Sequence, residues 1–153
     1  YFSRAWCSKE FLEYGLNPNI VQTNLSSNKR KGTLRGLHYQ VAPYSETKTI
    51  RCLKGSIYHV IVDLRPESPT YLKWIGVNLT AENKRMLYVP ESFAHGYQSL
   101  EDNSESIYSV SEYYAPESGR GIRWNDPFFD IEWPINDNII LSEQDKNWPD
   151  FCV

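Results

Sequence analysis

Three histidines are the side chains of this sequence best suited to acid–base chemistry near neutral pH. His38, His59 and His95 are the only histidines in the chain, and each falls in a strand-like segment or at its edge. A single histidine is more often a structural residue, but glycines stand close to two of these, as if space were needed beside them. An imidazole cluster inside a small β-barrel could act as a general base or hold a metal ion.

The stretch TLRGLHYQ, residues 33–40, places an arginine and a histidine inside a predicted strand. Alternation puts Gly36, His38 and Gln40 on one face of this strand and Arg35 on the other. Both Arg35 and His38 can serve one pocket only if the strand bulges at Gly36 or curls at its end.

The predicted elements that must position these residues are mainly β-strands. One short helix is predicted over residues 8–16, with Ser8 as its cap. NKRKG, residues 28–32, reads as a hairpin-like connection, and the chain from residue 115 reads as loop until a helical turn near Ser142. Short strands at even intervals predict one antiparallel sandwich or barrel domain over residues 1–153. The predicted strands are 19–27, 33–40, two within 48–65 around Lys54 and Gly55, 71–79, 85–90, 94–100 and 104–114.

Composition and charge exclude several classes of function. The net charge is -3 and the sequence pI is near 5.6, which argues against nucleic acid as a partner. No apolar run is long enough for a transmembrane helix, so we expect no membrane association. The three cysteines are widely spaced, which predicts free thiols in a reducing cytoplasm rather than disulfides or a zinc site. Because Tyr1 is not a start methionine, we expect the natural chain to include an upstream segment.

An ordered set of motifs carries a family resemblance. LRGLHYQ, GSIYHVIVDLR followed by SPTY, FAHGYQSL, and GIRWNDP with IEWP occur in this order, and the likeness that they carry covers the chain from Phe2 to about Asp150. The set resembles the dTDP-4-dehydrorhamnose 3,5-epimerase family. The resemblance implies a mainly β, cupin-like jelly-roll barrel with a few short helices, a homodimer, a nucleotide-sugar substrate, and catalysis with neither cofactor nor metal.

The resemblance also implies roles for individual residues. C3 and C5 of a 4-keto-6-deoxy sugar both lie α to the ketone, so inversion needs a base, a cation beside the enolate oxygen, and an acid on the opposite face. By matching motifs, His38 is the base, Asp145 its orienting carboxylate, Lys48 the cation and Tyr108 the acid. The positions implied to contact substrate are Arg35, Gln22, Asn24, His95, His59, Phe2 and Tyr114.

Four features depart from the family pattern. His59 stands where members often carry Asp, Glu46 where Gln is common, and Arg4 where many have Glu. The family's upstream Asp-x-Arg-Gly segment is absent from the sequence. These departures leave open the nucleotide base and whether C3, C5 or both are inverted.

Two other functions compete with epimerisation. His38 with Gln40, then Glu46 and the later His95, form a degraded version of the cupin metal pattern. Gln in place of the second histidine makes the metal signal weak, because glutamine is a poor ligand for transition metals. A metal-dependent cupin enzyme is therefore the second hypothesis, and a sugar-binding cupin without catalysis is the third.

Overall fold

The protein is mainly β, in two antiparallel sheets, in a computed structural model that describes residues 1–152. The helices are α1 (Ser8–Glu13) and α2 (Glu143–Lys146). The strands are β1 (Gln22–Asn28), β2 (Leu34–Gln40), β3 (Lys48–Lys54), β4 (Ser56–Asp63), β5 (Trp74–Thr80), β6 (Met86–Val89), β7 (Phe93–Ser99), β8 (Ser104–Val110) and β9 (Gly119–Gly121). The four-stranded sheet runs β1-β8-β3-β6 and the five-stranded sheet runs β5-β4-β7-β2-β9. The predicted jelly-roll architecture is confirmed.

Strand β4 explains how the two sides of the five-stranded sheet are buried. Its sequence is SIYHVIVD, and between the end residues Ser56 and Asp63 both faces are apolar or aromatic apart from one histidine. Ile57 and Ile61 pack in the cluster between the two sheets, whereas Val60 and Val62 pack in a second cluster with Trp133 of the C-terminal segment. The face of residues 57, 59 and 61 therefore points into the barrel, as its alternation predicts.

Two glycines let strands β2 and β7 approach closely. Gly36 has φ +123, and a Cβ there would lie 2.6 Å from Gly96 Cα. A Cβ at Gly96 would lie 2.7 Å from the Arg35 carbonyl oxygen. The register of β2 against β7 shifts between Arg35 and His38. This irregularity at Gly36 is the one that the sequence required for Arg35 and His38 to share a pocket, and both line the same cavity.

The predicted hairpin between β1 and β2 is wrong. β1 pairs with β8 in the four-stranded sheet, whereas β2 pairs with β7 and β9 in the other sheet. The polar link NKRKG therefore crosses between sheets. Strand β9 was also missed, because it is a three-residue strand in a glycine-rich segment that reads as loop.

Helix α1 is shorter than predicted, whereas the short helical turn near the C-terminal end lies where it was predicted. α1 ends at Glu13, and Cys7 rather than Ser8 is its N-cap, without a side-chain capping bond. The helical turn at the C-terminal end is confirmed, since Ser142 Oγ accepts a hydrogen bond from the Asp145 backbone N–H. No helix within residues 1–152 has the length and apolarity needed to cross a membrane.

Candidate active site

A cavity of about 430 Å³ lies between the two sheets and collects most of the chemistry-bearing residues. Its walls come from β2, β4, β7 and β9 on one side and from β1, β3 and β8 on the other. The lining residues are Ser26, Arg35, His38, Tyr39, Gln40, Glu46, Lys48, Ile50, His59, His95, Tyr97, Ser106, Tyr108, Tyr114, Pro116, Gly119, Arg120, Gln144 and Trp148.

His38 and Asp145 form a hydrogen-bonded dyad on one side of the cavity. His38 Nε2 lies 2.6 Å from Asp145 Oδ1. The side chain of Asp145 is 4% exposed, whereas that of His38 is 39% exposed toward the cavity. Because the carboxylate accepts the Nε2–H, Nδ1 of His38 is the nitrogen left free to take a proton.

The Asp145 carboxylate is held by further donors. Ser142 Oγ donates to Oδ2 at 2.8 Å, and the indole N–H of Trp148 donates to Oδ1 at 3.3 Å. Burial raises the pKa of Asp145, but the hydrogen bonds from His38, Ser142 and the Gly36 backbone outweigh burial and leave the pKa below its usual value. Asp145 is therefore ionised at neutral pH and can stabilise an imidazolium at His38.

Trp148 is fixed against both members of the dyad. Its ring centroid lies 6.1 Å from that of His38, in an edge-on arrangement. A Cβ at Gly121 of β9 would overlap the indole, so glycine at that position makes room for the ring.

The facing sheet supplies a cation and a phenol. Lys48 of β3 forms an ion pair with Glu46, and both side chains are almost fully buried. The Lys48 ammonium also lies 5.8 Å from the centroid of the Tyr108 ring on β8. Burial raises the pKa of Tyr108, and nearby Tyr97 and Glu46 add to this effect. Tyr108 is therefore a protonated donor at neutral pH.

The inner end of the cavity holds the other two histidines. His59 is 1% exposed, and its Nε2 lies 3.3 Å from His95 Nδ1. Burial, followed by the charge of Lys48, lowers the pKa of His59 to about 3 and that of His95 well below its usual value. Both rings are therefore neutral at neutral pH.

Most of the residues predicted from the sequence meet at this cavity. His38, Lys48, Tyr108, Arg35, His95, His59 and Tyr114 line it, and Asp145 supports His38 from behind. Three predicted contacts lie outside the lining: Phe2 is 94% exposed, and Gln22 and Asn24 lie on β1. Gln22 and Asn24 share a strand face with Ser26, which does line the cavity.

Sequence reasoning missed Trp148, Arg120 and the pairing of Glu46 with Lys48. Residues two apart in an extended strand share a face, so the spacing of Glu46 and Lys48 was a usable signal. Trp148 and Arg120 had no comparable signal, because both lie in segments that read as loop. Within residues 1–152, no three His, Cys, Asp or Glu side chains converge in an arrangement that could hold a metal ion.

A jelly-roll barrel with an acid–base dyad facing a buried lysine and a phenol defines an acid–base enzyme of the cupin-like type. The chain belongs to the dTDP-4-dehydrorhamnose 3,5-epimerase family, whose sequence model matches residues 1–152. Its members belong to the isomerase class.

Individual relatives agree with this membership. The chain is 45% identical over 152 residues to a dTDP-4-dehydrorhamnose 3,5-epimerase of Shigella flexneri, covering 99% of this chain and 83% of the relative. The structure of the Elizabethkingia anophelis enzyme of that name superposes with a TM-score of 0.95 at 40% identity, covering 99% of this chain and 83% of that one. The structure of a Legionella pneumophila epimerase solved with dTDP-4-keto-L-rhamnose superposes with a TM-score of 0.91 at 37% identity. The match covers 97% of this chain and 79% of that one.

Proposed function

We propose that the protein is a cofactor-free epimerase that inverts C3, C5 or both in a nucleoside-diphosphate 4-keto-6-deoxy sugar. The observation that carries this proposal is the placement of a base and an acid on facing sheets. His38 with Asp145 stands on one side of the cavity, and Tyr108 with Lys48 stands on the other. A sugar ring bound between them would meet the base on one face and the acid on the other.

The first step is removal of a proton α to the C4 ketone. His38 Nδ1 takes the proton, and the C–H electron pair moves into the enolate. The imidazolium that forms is stabilised by the ionised Asp145, which also keeps Nε2 protonated and the ring oriented. The Lys48 ammonium supplies positive charge for the enolate oxygen in a site shielded from water.

The second step returns a proton to the opposite face of the same carbon. The Tyr108 hydroxyl donates this proton, the enolate collapses to the ketone, and the configuration at that carbon is inverted. Water then resets the enzyme by taking the proton from His38 and restoring that of Tyr108. Neither reaction step exchanges electrons with a cofactor.

The outer part of the cavity suits the nucleoside diphosphate. Arg35 and Arg120 line it, and guanidinium groups are well suited to phosphate oxygens. The Tyr114 ring, 70% exposed, also lines the cavity and offers an aromatic surface for a base. We propose dTDP as the carrier because that is the carrier in the family's name.

Solvent deuterium incorporation tests this function directly. Wild-type protein incubated in D₂O with dTDP-4-keto-6-deoxyglucose should incorporate deuterium at C3, C5 or both, as read by NMR. The same experiment with the CDP sugar compares the carriers. His38→Ala should abolish incorporation at every α-carbon while circular dichroism shows an intact fold. Absence of exchange in wild type refutes the function, and substantial exchange in His38→Ala refutes the assignment of the base.

We also propose that the protein is a homodimer in which each subunit completes the other's pocket. β1 is an edge strand of the four-stranded sheet, and Leu25 on it is 73% exposed. Pairing between edge strands is a common way to cover such a surface. Phe2, Gln22 and Asn24 lie outside the subunit's own cavity, so their proposed substrate contacts are made with the substrate of the partner subunit.

Light scattering coupled to activity measurement tests the dimer. The wild-type protein should elute at twice its chain mass of 17.9 kDa. Leu25→Glu should shift the population to monomer and lower kcat/KM with it. A monomer that turns over at the full rate contradicts this proposal. We further propose a cytoplasmic location, because Cys7, Cys52 and Cys152 are all free thiols, as is usual in a reducing compartment.

A further inference from the structure

The inner wall of the cavity carries a pair of imidazoles that the proposed reaction steps do not use. His59 of β4 and His95 of β7 lie on adjacent strands and are joined through His59 Nε2 and His95 Nδ1, 3.3 Å apart. Their ring planes differ by 4° and their centroids are 5.4 Å apart. Parallel planes at this separation suit an edge-to-edge hydrogen bond between ring nitrogens.

The remaining nitrogens of the two rings have different surroundings. His59 Nδ1 is buried and has no hydrogen-bond partner among the described residues. His95 lines the cavity, and its Nε2 makes no hydrogen bond to residues 1–152 although it is not sealed like His59 Nδ1. The pair therefore has one sealed end and one end that a ligand can reach.

Charged and titratable groups surround the pair on several elements. Lys48 of β3 is the nearby cation. The carboxylate of Glu46 forms its ion pair with Lys48 and not with either imidazole ring. His38 of β2 lies edge-on to His95, and Tyr97 of β7 stacks on His59. No carboxylate oxygen lies within 4 Å of a nitrogen of either ring in residues 1–152. Both imidazoles are held neutral by burial and by Lys48.

Two neutral rings that share one hydrogen bond have two possible proton arrangements. If His59 Nε2–H donates to His95 Nδ1, the sealed atom is a bare lone pair and His95 presents Nε2–H to the cavity. If His95 Nδ1–H donates instead, the sealed atom is a buried N–H without an acceptor. Buried N–H groups without a partner are rarer in proteins than acceptors with unused lone pairs, so the first arrangement is favoured.

We propose that His59 is a positioning residue that holds His95 as a neutral Nε2–H tautomer, so that His95 donates a hydrogen bond to a substrate oxygen. The group recognised is an acceptor, the carbonyl or enolate oxygen or a ring hydroxyl of the 4-keto sugar, and this step rests on the proposed function. Lys48 then remains the fixed positive charge at the inner end of the cavity, with His95 beside it as an uncharged donor.

Histidine nitrogen chemical shifts measured without substrate test the tautomer independently of activity. In protein labelled with ¹⁵N-histidine, only three rings contribute, and single substitutions assign them. We expect His95 to show a protonated Nε2 and an unprotonated Nδ1 from pH 5.5 to 8, with no titration. A protonated Nδ1, or an imidazolium that titrates in this range, overturns the proposal.

Matched substitutions at His59 then test the positioning role. His59→Gln keeps an N–H donor near the position of Nε2, so the tautomer of His95 should stay as in wild type and kcat/KM should fall less than in His59→Asp. His59→Asp offers only acceptors, so His95 should turn its Nδ1–H toward the carboxylate. The carboxylate also raises the pKa of His95, and at a pH above that pKa the neutral ring exposes Nε2 as an acceptor. In that variant kcat/KM should fall by up to about 100-fold, the loss expected when one oxyanion donor is removed. The acidic limb of the pH profile of kcat/KM should also move to higher pH in this variant.

The outcomes separate this proposal from the proposed function. Wild-type deuterium exchange together with unchanged His95 shifts in His59→Asp overturns the positioning role alone. Failure of wild type to exchange, with the expected tautomer, overturns the epimerase function and leaves the tautomer assignment standing. If His59→Asp does not fold, the wild-type shifts and the His59→Gln comparison still decide the question.

Discussion

The active site contains two hydrogen-bonded pairs, His38 with Asp145 and His59 with His95, that differ in the partner of the histidine and in exposure. His38 pairs with a buried carboxylate and opens toward the cavity, whereas His59 pairs with another imidazole and is sealed from solvent. In the proposed mechanism, the carboxylate lets His38 carry a positive charge during turnover. Burial and Lys48 prevent the same charge at His59 and His95. Under the two proposals, the same type of side chain serves as a base or as a neutral donor, depending on the group that it pairs with.

Asp145→Asn removes the charge that distinguishes the first pair from the second. The neutral amide cannot stabilise the imidazolium and can leave His38 in the wrong tautomer. We expect kcat/KM to fall by about 10⁴-fold, as in a comparable dyad, with the fold unchanged. Asp145→Glu, which keeps the charge, should retain more activity than Asp145→Asn. A loss of less than tenfold in Asp145→Asn would show that the carboxylate does not assist the base.

Lys48→Met tests the positive charge that the facing sheet brings to the cavity. Loss of a cation at the enolate oxygen should lower kcat by about 10² to 10³-fold. It also leaves Glu46 buried without its partner, which should lower the free energy of unfolding by about 3 kcal/mol. Lys48→Met combined with Glu46→Gln is the matched control, and it should recover stability but not activity. Recovery of both would place Lys48 outside the reaction.

The pH dependence of stability measures the neutral pair. The unfolded chain protonates His59 near its ordinary pKa of 6.5, whereas in the folded protein this requires a pH of about 3. The contribution of His59 to stability is therefore complete above pH 6.5 and is lost as the pH falls toward 3. Across this window wild type should lose about 1.4 kcal/mol more per pH unit than His59→Gln, measured by urea unfolding. Parallel curves for the two proteins would show that His59 can be protonated in the folded state.

Trp148→Phe is the smallest change, aimed at the support of the first pair. It keeps an aromatic ring beside Gly121 and His38 but removes the indole N–H that donates to Asp145. One weak hydrogen bond to a charged group corresponds to a loss of about fivefold in kcat/KM. Gly121→Ala, whose added methyl would overlap the indole, should reproduce this loss without touching Asp145. Unchanged kinetics in both variants would make Trp148 a packing residue only.

The sequence predicted the dyad better than it predicted the surroundings of the dyad. The family resemblance implied the pairing of His38 with Asp145, and Ser142 correctly indicated the helical turn that carries the aspartate. The alternation of β4 predicted the inward position of His59, but the partner of His59 depended on which strand lies beside β4. The connection between β1 and β2 was misread because a short polar link looks the same in a hairpin and in a crossover between sheets.

The distance along the chain between His38 and Asp145 makes activity a sensitive measure of local structure. Their hydrogen bond spans 107 positions, and Asp145 sits in a helix of four residues. The segment leading to this helix is attached to the sheet at an isolated bridge between Thr33 and Ile140. Short segments of this kind open at a lower free-energy cost than strands in the middle of a sheet. Low concentrations of denaturant should therefore inactivate the protein while its β-sheet circular dichroism is still native.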